Sequence, residues 1–316
     1  MLTNHSEDFE LLVDAYEESG GAASVFDDDS AAFLLINKDQ VVGINQVKGL
    51  TIETEEIEDG IKARITISKG TKLKKPMHMC FGVIHSSGIQ NIVSEYILEE
   101  GAEASLKAHC SFPKAEDVVH KMDSVIRLGR NAILNYEEVH YHGPDAGIEV
   151  LPRAKAYLSE GAYYFNEFKL VKGRVGKLDV DFEVELAKEA VTEFVSKVYG
   201  KKNDQIRIKE TIHLNGKGSR GLAKTRVFAS DKTVSEVIGE AYGNAPYVKG
   251  HIDCVEAVKG EAEVSAVPII RVNNDLAELS HEASIGRINQ KQLETLISRG
   301  LNEEEATDLI VNGMLK

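Results

Sequence analysis

The chain has 316 residues, 42% of them hydrophobic, enough for one large or two modest globular domains with a real core. Its 37 Lys and Arg stand against 51 Asp and Glu, a formal charge of -14 that repels phosphate backbones and argues against a nucleic-acid partner. Three cysteines, Cys80, Cys110 and Cys254, with no CxxC spacing, suggest neither a disulfide framework nor a self-contained zinc site.

Residues 1–20 lack the basic and apolar regions of a signal peptide, and no apolar run approaches the ~18 residues that span a bilayer. A cytoplasmic protein with no membrane partner is therefore expected. Residues 6–19 place Phe9, Leu12, Val13 and Tyr16 at helical spacing behind Ser6 as a candidate N-cap, which predicts a short amphipathic packing helix. From about Ser30 to Ser284 short runs of alternating apolar and polar residues are punctuated by Gly, Asn-Gly and Asp-Gly. Ile61–Ile67, Ala132–Tyr141, Lys177–Leu186, Val191–Tyr199, Gln205–Leu214 and Leu222–Ala229 are examples. Such strands fit a sandwich, a barrel or a solenoid, and no crisp fixed period selects among them.

Within this region His78 and Cys80 form an H-x-C pair and His140 and His142 an H-x-H pair, each on one strand face. Two ligands do not make a metal site, and solvent-facing alternation is the expected explanation of both. Gly216–Gly221 satisfies G-x-G-x-x-G, but the residues after it alternate as a strand, so it reads as a turn and not as a dinucleotide fingerprint. There is no Walker A sequence, so any nucleotide hydrolysis belongs to a partner.

The chain closes with two capped helices. Asn289 with Gln292 and Asn302 with Glu305 have capping-box spacing. Leu293, Leu296, Ile297 and Leu301 make one apolar stripe, and Ala306, Leu309, Ile310 and Met314 the other. Helices this short must pack on the β body or present a groove to another protein. The segments expected are 1–29 helical, 30–284 β core and 285–316 helical.

Gly250–Cys254 (GHIDC), Ser280–Ile288 (SHEASIGRI) and Gln292–Leu315 resemble the C-terminal signature of the SufB/SufD family of iron-sulfur cluster assembly scaffolds, with a looser likeness in PMHMCFGVIH, AHCSFP and IHLNGKGSRG. The resemblance implies a right-handed parallel β-helix core, mainly β, flanked by a short N-terminal helix and a C-terminal helical pair. It implies a SufC-like ABC ATPase bound at Leu293, Leu296, Ile297, Leu309 and Ile310. The shorter chain resembles a compact homodimer in which one sequence fills both the SufB and the SufD positions.

Cys254 then resembles the family's assembly cysteine, a cluster ligand or persulfide acceptor. In a strand it shares a face with Ile252 and Glu256, while His251 and Asp253 point away. His281 and Glu282 are adjacent and diverge, so the expectation is that Cys254 and Glu282 of one subunit meet His281 of the other around a transient iron-sulfur cluster. Ser280 stands where the SufB pattern has an acid. Cys110 resembles the sulfur-receiving cysteine, with transfer along the β-helix lumen to Cys254 as the implied route, beside an equal reading as a buried structural thiol. A sulfur donor and apo iron-sulfur proteins are implied partners, and reduced flavin is a possible reductant that no residue pattern indicates. The rivals are a metal-free β-solenoid that only recruits the ATPase, and a metal-dependent hydrolase using His140 and His142.

Overall fold

The structure, a computed structural model, describes residues 2–3, 7–145 and 147–315. Ser6 lies outside them. Strands alternate between two sheets of eleven and nine strands, and from Met77 onward every pairing within a sheet is parallel. The fold is a parallel β-solenoid, and each of the six strand segments read from the alternation lies within or within a residue of an observed strand.

Registers expose a period that was not legible in advance. Arg220 pairs with Lys249 and Lys249 with Glu278, two steps of 29 residues in the larger sheet. Gln205, Val234 and Glu263 repeat the same step in the smaller one. One corner of each coil carries a residue with positive φ: Gly70, Gly101, Asn131, Gly161, Glu189, Gly218 and Tyr247, successive spacings being 31, 30, 30, 28, 29 and 29. The left-handed conformation lets the chain turn sharply there, at no steric cost for Gly and at some cost for Glu and Tyr. From Gly101 onward the residues that follow, Ala102, Ala132, Ala162, Ala190, Ser219 and Val248, are fully buried.

Alternation places every second side chain in the lumen, where Leu, Ile, Val and aromatic residues form one continuous core. The helix α1 (Glu7–Glu18) covers the outer face of the larger sheet and buries Leu12 and Tyr16 against Phe26, Phe33, Leu35 and Cys80. The His78/Cys80 pair therefore does not face solvent. The Tyr16 hydroxyl lies 2.7 Å from His78 Nδ1, and the Cys80 thiol is fully buried.

At the other end α2 (Gln290–Ile297) and α3 (Glu303–Met314) fold back on the same outer face. Asn289 accepts from the Lys291 and Gln292 amides, and Asn302 with Glu305 completes a reciprocal capping box. The buried residues of α3 are Ala306, Thr307 and Val311, of which Val311 packs against Tyr199 and Phe228, and Leu309 is 54% exposed. Lys259 Nζ fixes this rotation by donating to Thr307 Oγ1 at 2.9 Å and pairing with Glu303 at 2.9 Å. No helix among the described residues is long and apolar enough to cross a membrane.

Candidate functional site

Cys254 sits in the strand Lys249–Val258, the penultimate strand of the larger sheet. Ile252, Cys254 and Glu256 point into the lumen and His251 and Asp253 outward, as the alternation predicts. In the last strand, Glu278–Arg287, His281 lies opposite Ile252, Glu282 opposite Asp253, and Ala283 opposite Cys254. Parallel partners share a face, so His281 is on the Cys254 face and Glu282 on the other. Strand spacing and rise put the Cys254 and His281 Cα atoms roughly 8 Å apart. Within one chain, then, the register groups Cys254 with His281 and separates both from Glu282.

The Cys254 surroundings are acidic. Burial pushes its thiol up to about 12, reinforced by Glu256 and Glu210 and opposed by Arg226, so it is protonated at neutral pH. Burial also raises the Glu256 carboxyl to about 7, against the hydrogen bond it accepts from Ser235 Oγ at 3.1 Å, and its Oε1 has no partner among the described residues. Glu210, raised by burial, accepts from Ser196 Oγ at 2.6 Å and Thr225 Oγ1 at 2.9 Å, and Thr225 is the strand neighbour of Cys254. Outside the lumen, Arg226 holds Asp253 at 2.5 Å and His251 Nδ1 lies 2.8 Å from Ser280 Oγ.

Sequence reasoning missed Glu210, Thr225 and Ser196. A signal existed: Ile206, Ile208, Glu210, Ile212 and Leu214 occupy alternate positions, and the one acid in that apolar series is aimed inward.

Cys110 lies in the lumen five strands earlier, on Glu103–Phe112, roughly 24 Å from Cys254 at the inter-strand spacing of ~4.8 Å. His140 and His142 are each 1% exposed, on the lumen face of Ile133–His142, which overturns the solvent-facing reading of that pair. The reason is that alternation separates two faces without saying which one a closed coil turns inward. Between Cys110 and Cys254 the lumen is filled by Phe168, Leu170, Phe182, Phe194 and Val198, all at most 4% exposed. The expected sulfur route along the lumen meets this packed layer.

On the helical pair, Leu296, Leu309 and Ile310 line a surface groove with Lys291, Gln292 and Gly313. Ile297 is 40% exposed beside it, and Leu293 is buried.

Residues 86–314 match the family described as SUF system FeS cluster assembly, SufBD core domain. An iron-sulfur cluster assembly SufBD family protein of Methanocaldococcus jannaschii is 42% identical over 282 residues, 89% of this chain and 89% of that protein. One from Pyrococcus horikoshii is 39% identical over 312 residues, covering 99% of this chain and 95% of its own. The iron-sulfur cluster assembly protein SufB of Bacillus subtilis is similar over a shorter stretch, 29% identical across 124 residues and 34% of this chain. With a solenoid whose last coils carry a buried cysteine beside a histidine, the chain belongs to the SufBD core family of the SUF iron-sulfur cluster assembly system.

Proposed function

We propose that this protein is a non-enzymatic scaffold on which an iron-sulfur cluster is assembled at the open C-terminal end of the solenoid, around Cys254, His281 and Glu282. One observation carries the reading: the last coils bring Cys254 and His281 to one face at an end where both sheets finish in unpaired edge strands. Val272, Leu276 and Ile285 stand half exposed there. Unpaired edges with exposed apolar side chains favour a second copy of the chain, and a two-fold dimer brings the same end of each copy together. Cys254 and His281 of one chain then supply sulfur and nitrogen, and Glu282, on the opposite face, serves through the partner chain.

Iron is the substrate of this site. Its binding replaces the Cys254 thiol proton, since thiolate is the ligating form. Glu256, on the same face and titrating at about 7, is placed to accept that proton at alkaline pH. The groove of Leu296, Leu309 and Ile310 is the proposed seat of a SufC-like ABC ATPase, which supplies ATP hydrolysis.

The test is iron and acid-labile sulfide per chain after anaerobic co-purification with the ATPase. Near-equal iron and sulfide, lost in Cys254→Ala, support the scaffold. Identical metal-free spectra in both chains would leave a module that only recruits the ATPase.

A further inference from the structure

Apart from the end that carries Cys254, the lumen contains a second cluster of metal-ligating side chains. Ligand atoms of Cys110, Glu138 and His140 lie within 4.8 Å of one another, and all three residues are at most 5% exposed. The strands dictate this convergence. Cys110 pairs directly with His140, and Glu138 is the next residue on the same face. Glu138 Oε1 lies 2.7 Å from His140 Nε2, and its Oε2 accepts from the Tyr136 hydroxyl at 3.1 Å. Among the described residues the Cys110 thiol has only the Met122 thioether, at 3.9 Å, as a hydrogen-bond acceptor.

The imidazoles around the cluster are poorly satisfied. His140 Nδ1, His142 Nε2 and both nitrogens of His120 are buried without a hydrogen-bond partner among the described residues. Each neutral imidazole carries one N–H, so His120 buries at least one donor with nothing to receive it, at a cost of about 1–3 kcal/mol. The His120 and His142 rings stand 5.9 and 5.7 Å from His140, centroid to centroid. Two imidazoles on one ion have centroids roughly 5 Å apart, given ~2 Å metal–nitrogen bonds.

We propose that this cluster is a metal site: Cys110 Sγ, the Glu138 carboxylate and a His140 ring nitrogen hold one divalent first-row transition-metal ion, with His120, whose two ring nitrogens are both unengaged among the described residues, as the candidate for the fourth position. Mixed sulfur, nitrogen and oxygen donors suit zinc, cobalt or ferrous iron and exclude calcium and magnesium. On binding, the thiol gives up its proton to solvent and the thiolate takes the metal. The site is separated from Cys254 by the packed layer of Phe168, Leu170 and Phe182, so it holds an ion of its own and is not part of the proposed assembly end.

The test uses cobalt(II) as the probe, added anaerobically to reduced, chelator-stripped full-length chain carrying Cys254→Ser. Expected is one cobalt per chain with a near-ultraviolet thiolate-to-cobalt band, and one sulfur with nitrogen and oxygen neighbours by X-ray absorption at the cobalt edge. Adding Cys110→Ser abolishes the band, Cys80→Ser leaves it, and His140→Gln weakens binding by about tenfold or more. No thiolate band in the Cys254→Ser chain, or a band that survives Cys110→Ser, overturns the proposal. Should the Cys110 variant not fold, the X-ray absorption of the Cys254→Ser chain still decides, because a shell without sulfur is the negative result. Because Cys254 is replaced throughout, the outcome is independent of the cluster scaffold reading.

Discussion

At its first coils the outer face of the larger sheet is covered, α1 closing over Phe33, Leu35 and Cys80, and the smaller sheet ends in an edge strand, Leu50–Ile57, that turns back antiparallel on Gly60–Ile67. At its last coils the strands Glu263–Val272 and Glu278–Arg287 each have a neighbour on one side only. In Ile133–His142, deep in the stack, alternate residues are buried, whereas Glu278–Arg287 has the same alternation and no buried residue. A strand's own pattern sets its faces, and the coil stacked on it decides whether the inward face is dry. An exposed parallel edge is a hazard that natural proteins cover or use. Here the uncovered edge lies beside Cys254 and His281.

This contrast can be broken first at the helix-covered coils. Phe33 is fully buried beneath α1, and Phe33→Ala is expected to cost about 3–5 kcal/mol in urea unfolding. A loss under about 1 kcal/mol would mean that α1 does not hold Phe33 out of water.

The acidic lumen near Cys254 gives the next effect. The folded Glu256 carboxyl titrates at about 7 against an ordinary 4.5, so the folded state favours its protonated form. Its stability contribution is intact below pH 4.5 and is lost as the pH rises to about 7, then stays constant. The shift corresponds to roughly 3 kcal/mol at 1.36 kcal/mol per pH unit. Urea unfolding of Glu256→Gln should therefore equal the native chain near pH 4.5 and exceed its stability by that amount near pH 8. Parallel pH profiles would place Glu256 in water.

At the open end the chain's own stability should barely respond. Ile285 is 51% exposed, and Ile285→Asp is expected to change chain stability by less than about 0.5 kcal/mol while shifting sedimentation from dimer to monomer. An unchanged dimer would move the interface elsewhere. Smallest in stability is Leu309→Asp, again within about 0.5 kcal/mol, which should abolish ATPase co-purification. Retained ATPase would remove the groove from the docking surface.

Much of the fold was legible because alternation is a local property. Lys177–Leu186 and Gln205–Leu214 coincide with their strands end to end. The coil period was hidden for a physical reason: left-handed corners are held by Gly at Gly101 and Gly161 but by Asn131, Glu189 and Tyr247 elsewhere. A repeated conformation does not require a repeated residue. The trace that existed is Glu100-Gly101-Ala102, Arg130-Asn131-Ala132, Glu160-Gly161-Ala162 and Lys188-Glu189-Ala190, a corner followed by a buried alanine.

Site residues were read less completely. The opposed faces of Cys254 and His251 followed from alternation, whereas the sharing of a face by Cys254 and His281 depends on register between strands 29 residues apart. Leu309 was read on one apolar stripe with Ala306, Ile310 and Met314; helical spacing admits several rotations, and the packing of Val311 on Tyr199 and Phe228 selects one that buries Ala306 and Thr307 and turns Leu309 outward.

The left-handed corners also govern how the molecule tolerates changes of length. One residue inserted within a strand would turn its remaining lumen side chains to solvent, but one inserted at a corner leaves both flanking strands in phase. Coil lengths of 28 to 31 residues along this chain are differences of that kind. The solenoid is thus a ruler graduated in steps of ~4.8 Å: excising a coil between Cys110 and Cys254 would bring the two thiols one graduation closer and leave each end as it was.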